Sequence, residues 1–181
     1  MRNGKADKAV YITLVLLLAA VAVLAFFNSG DRELKRALEE KREFLVCLDG
    51  ECVAIVDLQT VLDLDQQEFT TSFATSVAAQ RDSVMRGVEL RALLKALDID
   101  LSLASRVTVS GLDGYYSPLT REEVEREGTV YICYSMDGKI LAPQSKGGYG
   151  PFMMVIRGSR FAQRWCKYVE AVDVVTGGIE N

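Results

Sequence analysis

No histidine occurs among the 181 residues, and that absence excludes the most. Without an imidazole there is no Ser-His-Asp or Cys-His machinery, no His-ligated zinc and no histidine proton shuttle. Acid–base chemistry is left to carboxylates, Lys, Tyr or Cys. Positive charge is also short. The chain has 21 Lys+Arg against 25 Asp+Glu, a net charge of −4, with a pI of about 5.0. That balance argues against a nucleic-acid role driven by phosphate attraction. The four cysteines form no Cys-x-x-Cys motif, which weakens a redox-active reading. They also lack the close pairs of a four-Cys zinc site. There is no internal repeat, no low-complexity stretch and no phosphate-loop pattern. The length allows one domain with a proper core, or one domain plus an appendage.

The apolar content, 49% of residues, is unevenly spread. Residues 9–27, from Ala9 to Phe27, are apolar except for Thr13. As a helix rising about 1.5 Å per residue they cover roughly 28 Å, close to the hydrocarbon thickness of a bilayer. A secretory signal has a shorter apolar region followed by small residues before its cleavage site. Here the run ends on Phe26 and Phe27, which suit an interfacial anchor. The expectation is an uncleaved transmembrane helix. Residues 1–8 carry Arg2, Lys5 and Lys8 against Asp7, so the positive-inside bias makes them a cytoplasmic leader and places the rest outside the cell membrane. The part beyond the leader holds 18 basic against 24 acidic residues, a balance of −6, which argues against an anionic lipid surface as its ligand.

Asn28-Ser29-Gly30 ends the span. Residues 28–43 then form a charged stalk, with a weakly amphipathic helix over 31–43 that carries Leu34, Ala37 and Leu38 on one side. Residues 44–181 make up the outer domain. Phe44 to Leu48 and Cys52 to Val56 flank Asp49-Gly50, the dipeptide favoured in a type I′ hairpin turn. Thr129 to Tyr134 and Met136 to Leu141 form a second such pair around Asp137-Gly138. The strand-like stretch Arg106 to Ser110 precedes Asp113-Gly114. Leu90, Leu93, Leu94 and Leu97 give a helical stripe over Val88 to Leu97. Thr120 and Glu123 have the spacing of a capping box opening a short helix to Arg126. Phe152 to Ile156 and Tyr168 to Val175 are strand-like. Interspersed strands and short helices predict an α+β domain with a mixed, largely antiparallel sheet.

Four segments in order resemble the oxidoreductase molybdopterin-binding domain, a sulfite-oxidase-type fold. They are Arg86-Gly87-Val88-Glu89-Leu90 with the helix after it, Val107 to Ser110 with Asp113-Gly114-Tyr115, Tyr131 to Leu141, and Gly148 to Ile156 with Arg164 to Val172. The resemblance implies molybdopterin as cofactor and, in catalytic members, a molybdenum-ligating Cys ahead of the Gly-Val-x-Leu helix. Residues 69–85 occupy that stretch and contain no Cys; Ser72 and Ser76 are the alkoxide alternatives. The family's Arg after Pro is also replaced, since Phe152-Met153 follow Pro151. Soft thiolate ligation is not replaced by a neutral side chain without changing the metal's electronics. The expectation is therefore a domain that keeps the fold without the metal chemistry, with no resident cofactor, acting in binding.

The candidate binding loop is Lys146-Gly147-Gly148-Tyr149-Gly150. Its glycines allow close backbone approach, and Lys146, Arg157 and Arg160 supply charge for a small anionic ligand. Tyr115, Tyr116 and Tyr149 are candidates to line the cleft. A membrane-protein partner is the other occupant considered. If Asp49-Gly50 makes a two-residue turn, Cys47 faces Cys52 within disulfide range; two free half-buried thiols are the other outcome. Cys133 and Cys166 read as core residues. Two further readings stand beside the binding module. One is a molybdopterin-dependent oxidoreductase with unusual ligation; the other is a thiol–disulfide sensor using Cys47 and Cys52.

Overall fold

The computed structural model describes residues 4–75, 78–159 and 162–177, and excludes the side chains of 4–9, 22, 24–29, 73–75 and 78–81. The chain divides into two compact units, Met1–Ala37 and Leu38–Asn181. A single helix, α1 (Gly4–Lys41), runs through Asn28-Ser29-Gly30 instead of ending there. Gly30 is one weak helix former in a long run, which costs about 1 kcal/mol and does not by itself break a helix. The helix stops at Arg42, whose φ of 59° is left-handed. Leu38 is buried in the second unit, while Leu34 stays exposed, so only the last turn of the expected stalk joins the domain. Among the described residues no helix is long and apolar enough to cross a membrane. The expected span over 9–27 is thus not shown; the side chains of Ala22 and of 24–27, which complete the apolar run, lie outside the described residues.

The second unit is built from two sheets and short helices. In chain order come β1 (Glu43–Leu48), β2 (Glu51–Asp57), α2 (Leu58–Leu62), β3 (Gln66–Thr75), β4 (Ala78–Glu89), α3 (Leu90–Ala96), β5 (Ala104–Gly111), β6 (Tyr116–Leu119), α4 (Arg121–Glu125), β7 (Val130–Met136), β8 (Lys139–Ile140), β9 (Met153–Ile156) and β10 (Val169–Thr176). The first sheet has the order β2-β1-β10-β5-β6; the second has β3-β4-β7-β8, with β9 also paired to β7. Among the described strands β1 and β10 pair in parallel and the other strand pairs are antiparallel. The α+β class and the largely antiparallel, mixed sheet stand as expected.

Both Asp-Gly hairpins form. Asp49 and Gly50 have φ of 53° and 81°, and Asp137 and Gly138 have 51° and 73°, as a type I′ turn requires. The capping box is present, with Thr120 accepting from Glu123 N and the Glu123 carboxylate accepting from Thr120 N. One boundary differs from expectation. Val88 and Glu89 belong to β4, paired with Ile132 and Tyr131, so the helix begins at Leu90. Gly87 explains the pairing: a Cβ there would lie 2.3 Å from the Ile132 carbonyl oxygen and 2.7 Å from Cys133 Cα. Only glycine lets the two backbones come so close.

The sheets differ in how they use their faces. β5 and β10 alternate between buried and more exposed positions, the pattern of a sheet with one face packed. β7 is buried from Val130 to Ser135, and all of β9 is buried. The core gathers Phe44, Leu93, Leu94, Ile132, Phe152, Met153 and Met154 with their neighbours, and Phe44 meets Phe152 edge to face at 5.0 Å between ring centroids.

Candidate functional site

Each of the four cysteines has a definite position. The turn at Asp49-Gly50 pairs Leu48 with Glu51 and then Cys47 with Cys52, and the two cysteines form a disulfide with Cα atoms 3.8 Å apart. A register shift between Val46 and Cys47 accompanies the bond. The turn is clasped to the end of β10. Asp49 N donates to the Val174 carbonyl at 2.9 Å, and Gly50 N donates to Asp173 Oδ1 at 3.0 Å. Thr176 donates its N–H and its hydroxyl to the Asp49 carboxylate at 2.8 and 2.7 Å, and these bonds hold that carboxyl below its ordinary pKa.

Cys133 and Cys166 are free and buried. Cys133 lies on β7 opposite Met153, and Cys166 bridges to Met154. Burial pushes the Cys133 thiol up strongly. It also pushes Cys166 up to about 12, with Asp113 and Glu170 adding to the effect. A thiol with its pKa raised in this way is neither nucleophile nor ready metal ligand.

A small cleft of about 290 Å³ opens where β4 ends and β7 begins. Glu89 is one of its lining residues: one carboxylate oxygen accepts from Gly128 N at 3.0 Å, and the other pairs with Arg91 Nε. Arg91 Nη2 also lies 3.4 Å from Glu127. The hydrogen bond to Glu89 is the main cause of the raised Arg91 pKa. Arg157 sits over the Phe69 ring at 5.4 Å, and Phe69 leans on Tyr131 with centroids 4.4 Å apart. Burial raises the Tyr131 hydroxyl pKa, and its hydrogen bond with Arg157 opposes that shift. With Asp65 and Gln67 also lining it, the cleft mixes three carboxylates with two guanidiniums. A second, more open cleft of about 650 Å³ shares Arg91 and adds Lys95, Asp98, Asp100 and Glu125.

The residues singled out in the sequence do not converge. Lys146 lines a cleft of about 320 Å³ with Glu39, Glu40 and Arg42. Gly148 and Tyr149 line another of about 370 Å³ with the β7–β8 turn. Arg157 belongs to the Glu89 cleft. The Tyr115 hydroxyl donates to the Gln163 carbonyl, and Tyr116 is exposed on β6. Arg160 and Ser76 lie outside the described residues. Ser72 donates to Asp82 at 2.7 Å. The glycines serve the loop's own packing. A Cβ on Gly148 would fall 2.1 Å from the Ala142 carbonyl oxygen, and Gly150 N donates to that same oxygen at 2.8 Å. Gly147 takes the left-handed φ of 72° that closes a short 3-10 turn over 144–146. The close backbone approach expected of a ligand is here made by the chain itself. Sequence reasoning missed Glu89, Arg91 and Tyr131. They come from a strand end, a helix start and another strand, so no local motif marks them.

A family model described as oxidoreductase molybdopterin binding domain matches residues 34–179. Among solved structures the chain is similar to the sulfane dehydrogenase SoxCD from Paracoccus pantotrophus. The TM-score is 0.58 with 16% sequence identity, over 77% of this chain and 39% of that one. The chain therefore spans well under half the length of that protein, and the likeness is one of fold. No curated protein matches the sequence.

Proposed function

The chain belongs to the oxidoreductase molybdopterin-binding domain family, and from that premise we propose that it is a binding module that keeps the family's fold without its metal chemistry. One observation carries the reading: none of the four cysteine sulfurs is placed to ligate a metal. Cys47 and Cys52 are bonded to each other, and Cys133 and Cys166 are packed in the core. The resemblance implies that the family's catalytic members hold molybdenum through a Cys thiolate, a soft ligand. Residues 69–85, where the family places it, contain no Cys. With its cysteines paired or packed away, the chain offers no thiolate to that metal.

Within this reading residues 9–27 anchor the chain in the cell membrane, 1–8 are cytoplasmic, and the domain from 44 onward is extracytoplasmic, joined by 28–43. Exposed apolar side chains along α1, among them Val10, Ile12, Leu14 and Leu17, support an apolar surrounding for that segment. The Cys47–Cys52 bond supports an oxidising compartment. The occupant of the domain is a protein partner more than a small anion, because the candidate cations line separate clefts and Arg157 shares its cleft with Asp65, Glu89 and Glu127. A molybdopterin-dependent oxidoreductase remains the second reading, favoured by the family itself. Metal and pterin analysis of the natively purified full chain separates the two. The binding module predicts neither molybdenum nor tungsten in stoichiometric amount; one metal per chain, with a pterin, would falsify it.

A further inference from the structure

The first sheet has an open face and a free edge, and both are apolar where they meet. β2 is an edge strand, paired only with β1 among the described residues. The register shift between β1 and β2 leaves Val53 without a partner on β1, and it is 55% exposed. Ile55, two residues on, is 64% exposed and pairs with Leu45 on the outward side. The same row continues across the sheet through Ala171, Ser110 and Tyr116, and Tyr116 is 67% exposed. Natural edge strands are commonly blunted by Lys or Pro, or twisted by a bulge. β2 has the register shift at its turn end but neither Lys nor Pro.

We propose that this edge and face dock an extended segment of another protein, apolar at alternate positions and basic at both ends. The inference rests on the binding-module reading and names its partner. The charges select the occupant. β2 begins at Glu51 and ends at Asp57, Glu43 pairs with Asp57, and Asp173 lies opposite Cys47. Arg106 is the basic residue on this face, but it lies on β5, three strands from the edge. A second copy is disfavoured by the same charges. Antiparallel pairing of two β2 strands about Ala54 sets Glu51 against Asp57 at both ends, and like charges directly opposite are destabilising. An added strand with basic ends turns that repulsion into attraction. Main-chain hydrogen bonds would supply affinity, and the Val53 and Ile55 positions would read alternate side chains.

The test uses the full chain in detergent micelles and a synthetic peptide of alternating Val and Thr with two Lys at each end. Hydrogen exchange of amides 51–57 should slow by about tenfold or more at saturation. Ile55→Lys, at an exposed position, should leave the melting curve unchanged and weaken the peptide by about tenfold or more. The same peptide with Glu at its ends should not protect β2. Equal protection by both peptides, or protection away from β2, overturns the proposal. So does protection of β2 that rises with protein concentration and needs no peptide, which would mean self-association. Stoichiometric molybdenum together with lysine-dependent protection would leave the docking edge standing and remove the non-catalytic reading; the reverse result removes the docking edge alone.

Discussion

The two sheets of the domain are made from similar residues and used in opposite ways. In the second sheet β7 and β9 are buried on both faces, and Cys133 is one more apolar contact there. In the first sheet β5 and β10 bury alternate residues, and the outward positions carry the exposed Ile55 and Tyr116. The difference shows where function has room. A side chain in the second sheet answers to packing, because interiors tolerate little change in volume. A side chain on the outer face of the first sheet is free to meet something else. The family's chemistry would need a reactive thiolate in a cleft; this chain buries two of its cysteines and bonds the other two to each other.

The comparison can be broken most sharply with one substitution made twice. Ile132→Ala in β7 should cost about 4 kcal/mol in urea unfolding, the range for a buried isoleucine that leaves a cavity. Ile55→Ala on the open face should stay within about 0.5 kcal/mol. Similar losses at the two positions would mean that the outer face is packed. Gly87→Ala should follow, at about 3 kcal/mol in the same assay, because the added Cβ would meet backbone atoms of Ile132 and Cys133 that have little freedom to move. A smaller loss would show that β4 and β7 can part.

Replacing both Cys47 and Cys52 by Ser should cost about 2 kcal/mol, the amount for closing a short loop. Thermal melts with and without reductant check this on the unaltered chain. A smaller effect belongs to the Glu123–Arg164 pair, where two hydrogen bonds of 2.6 and 2.9 Å join α4 to the segment before β10. The hydrogen bond with Arg164 is the main cause that lowers the Glu123 pKa from 4.5. A lowered carboxylate pKa gives stability that is fully present above pH 4.5 and lost as pH falls through the folded-state value. Glu123→Gln should remove that part of the acid dependence while changing neutral-pH stability by about 1 kcal/mol or less. Denaturation curves at neutral and acid pH compare the two chains directly.

How much of this was legible in the sequence follows from what each feature depends on. The Asp49-Gly50 and Asp137-Gly138 hairpins were readable because a two-residue turn needs left-handed backbone, and those residue types provide it. Once the first turn is fixed, so is the register that brings Cys47 to Cys52. The long β3–β4 hairpin was missed because no such turn dipeptide marks it and its polar residues alternate weakly. Val88 and Glu89 fit the helical stripe of Leu90, Leu93 and Leu94 locally, but pairing with Ile132 and Tyr131 outweighs that preference. The Glu89 cleft was invisible for the same kind of reason. Glu89 and Gly128 are 39 residues apart, and only the β4–β7 register brings them together. The Lys146 loop looked like a ligand cradle because glycine permits close approach, and the sequence does not say that Ala142 is what approaches.

The central claim is that no cysteine of this chain is available to a metal. Its most direct test is a thiol count by alkylation on natively purified protein kept from reductant, before and after unfolding. The account predicts no labelled cysteine in the native state and two, Cys133 and Cys166, once the chain is unfolded without reductant. A cysteine labelled rapidly in the native protein would contradict it.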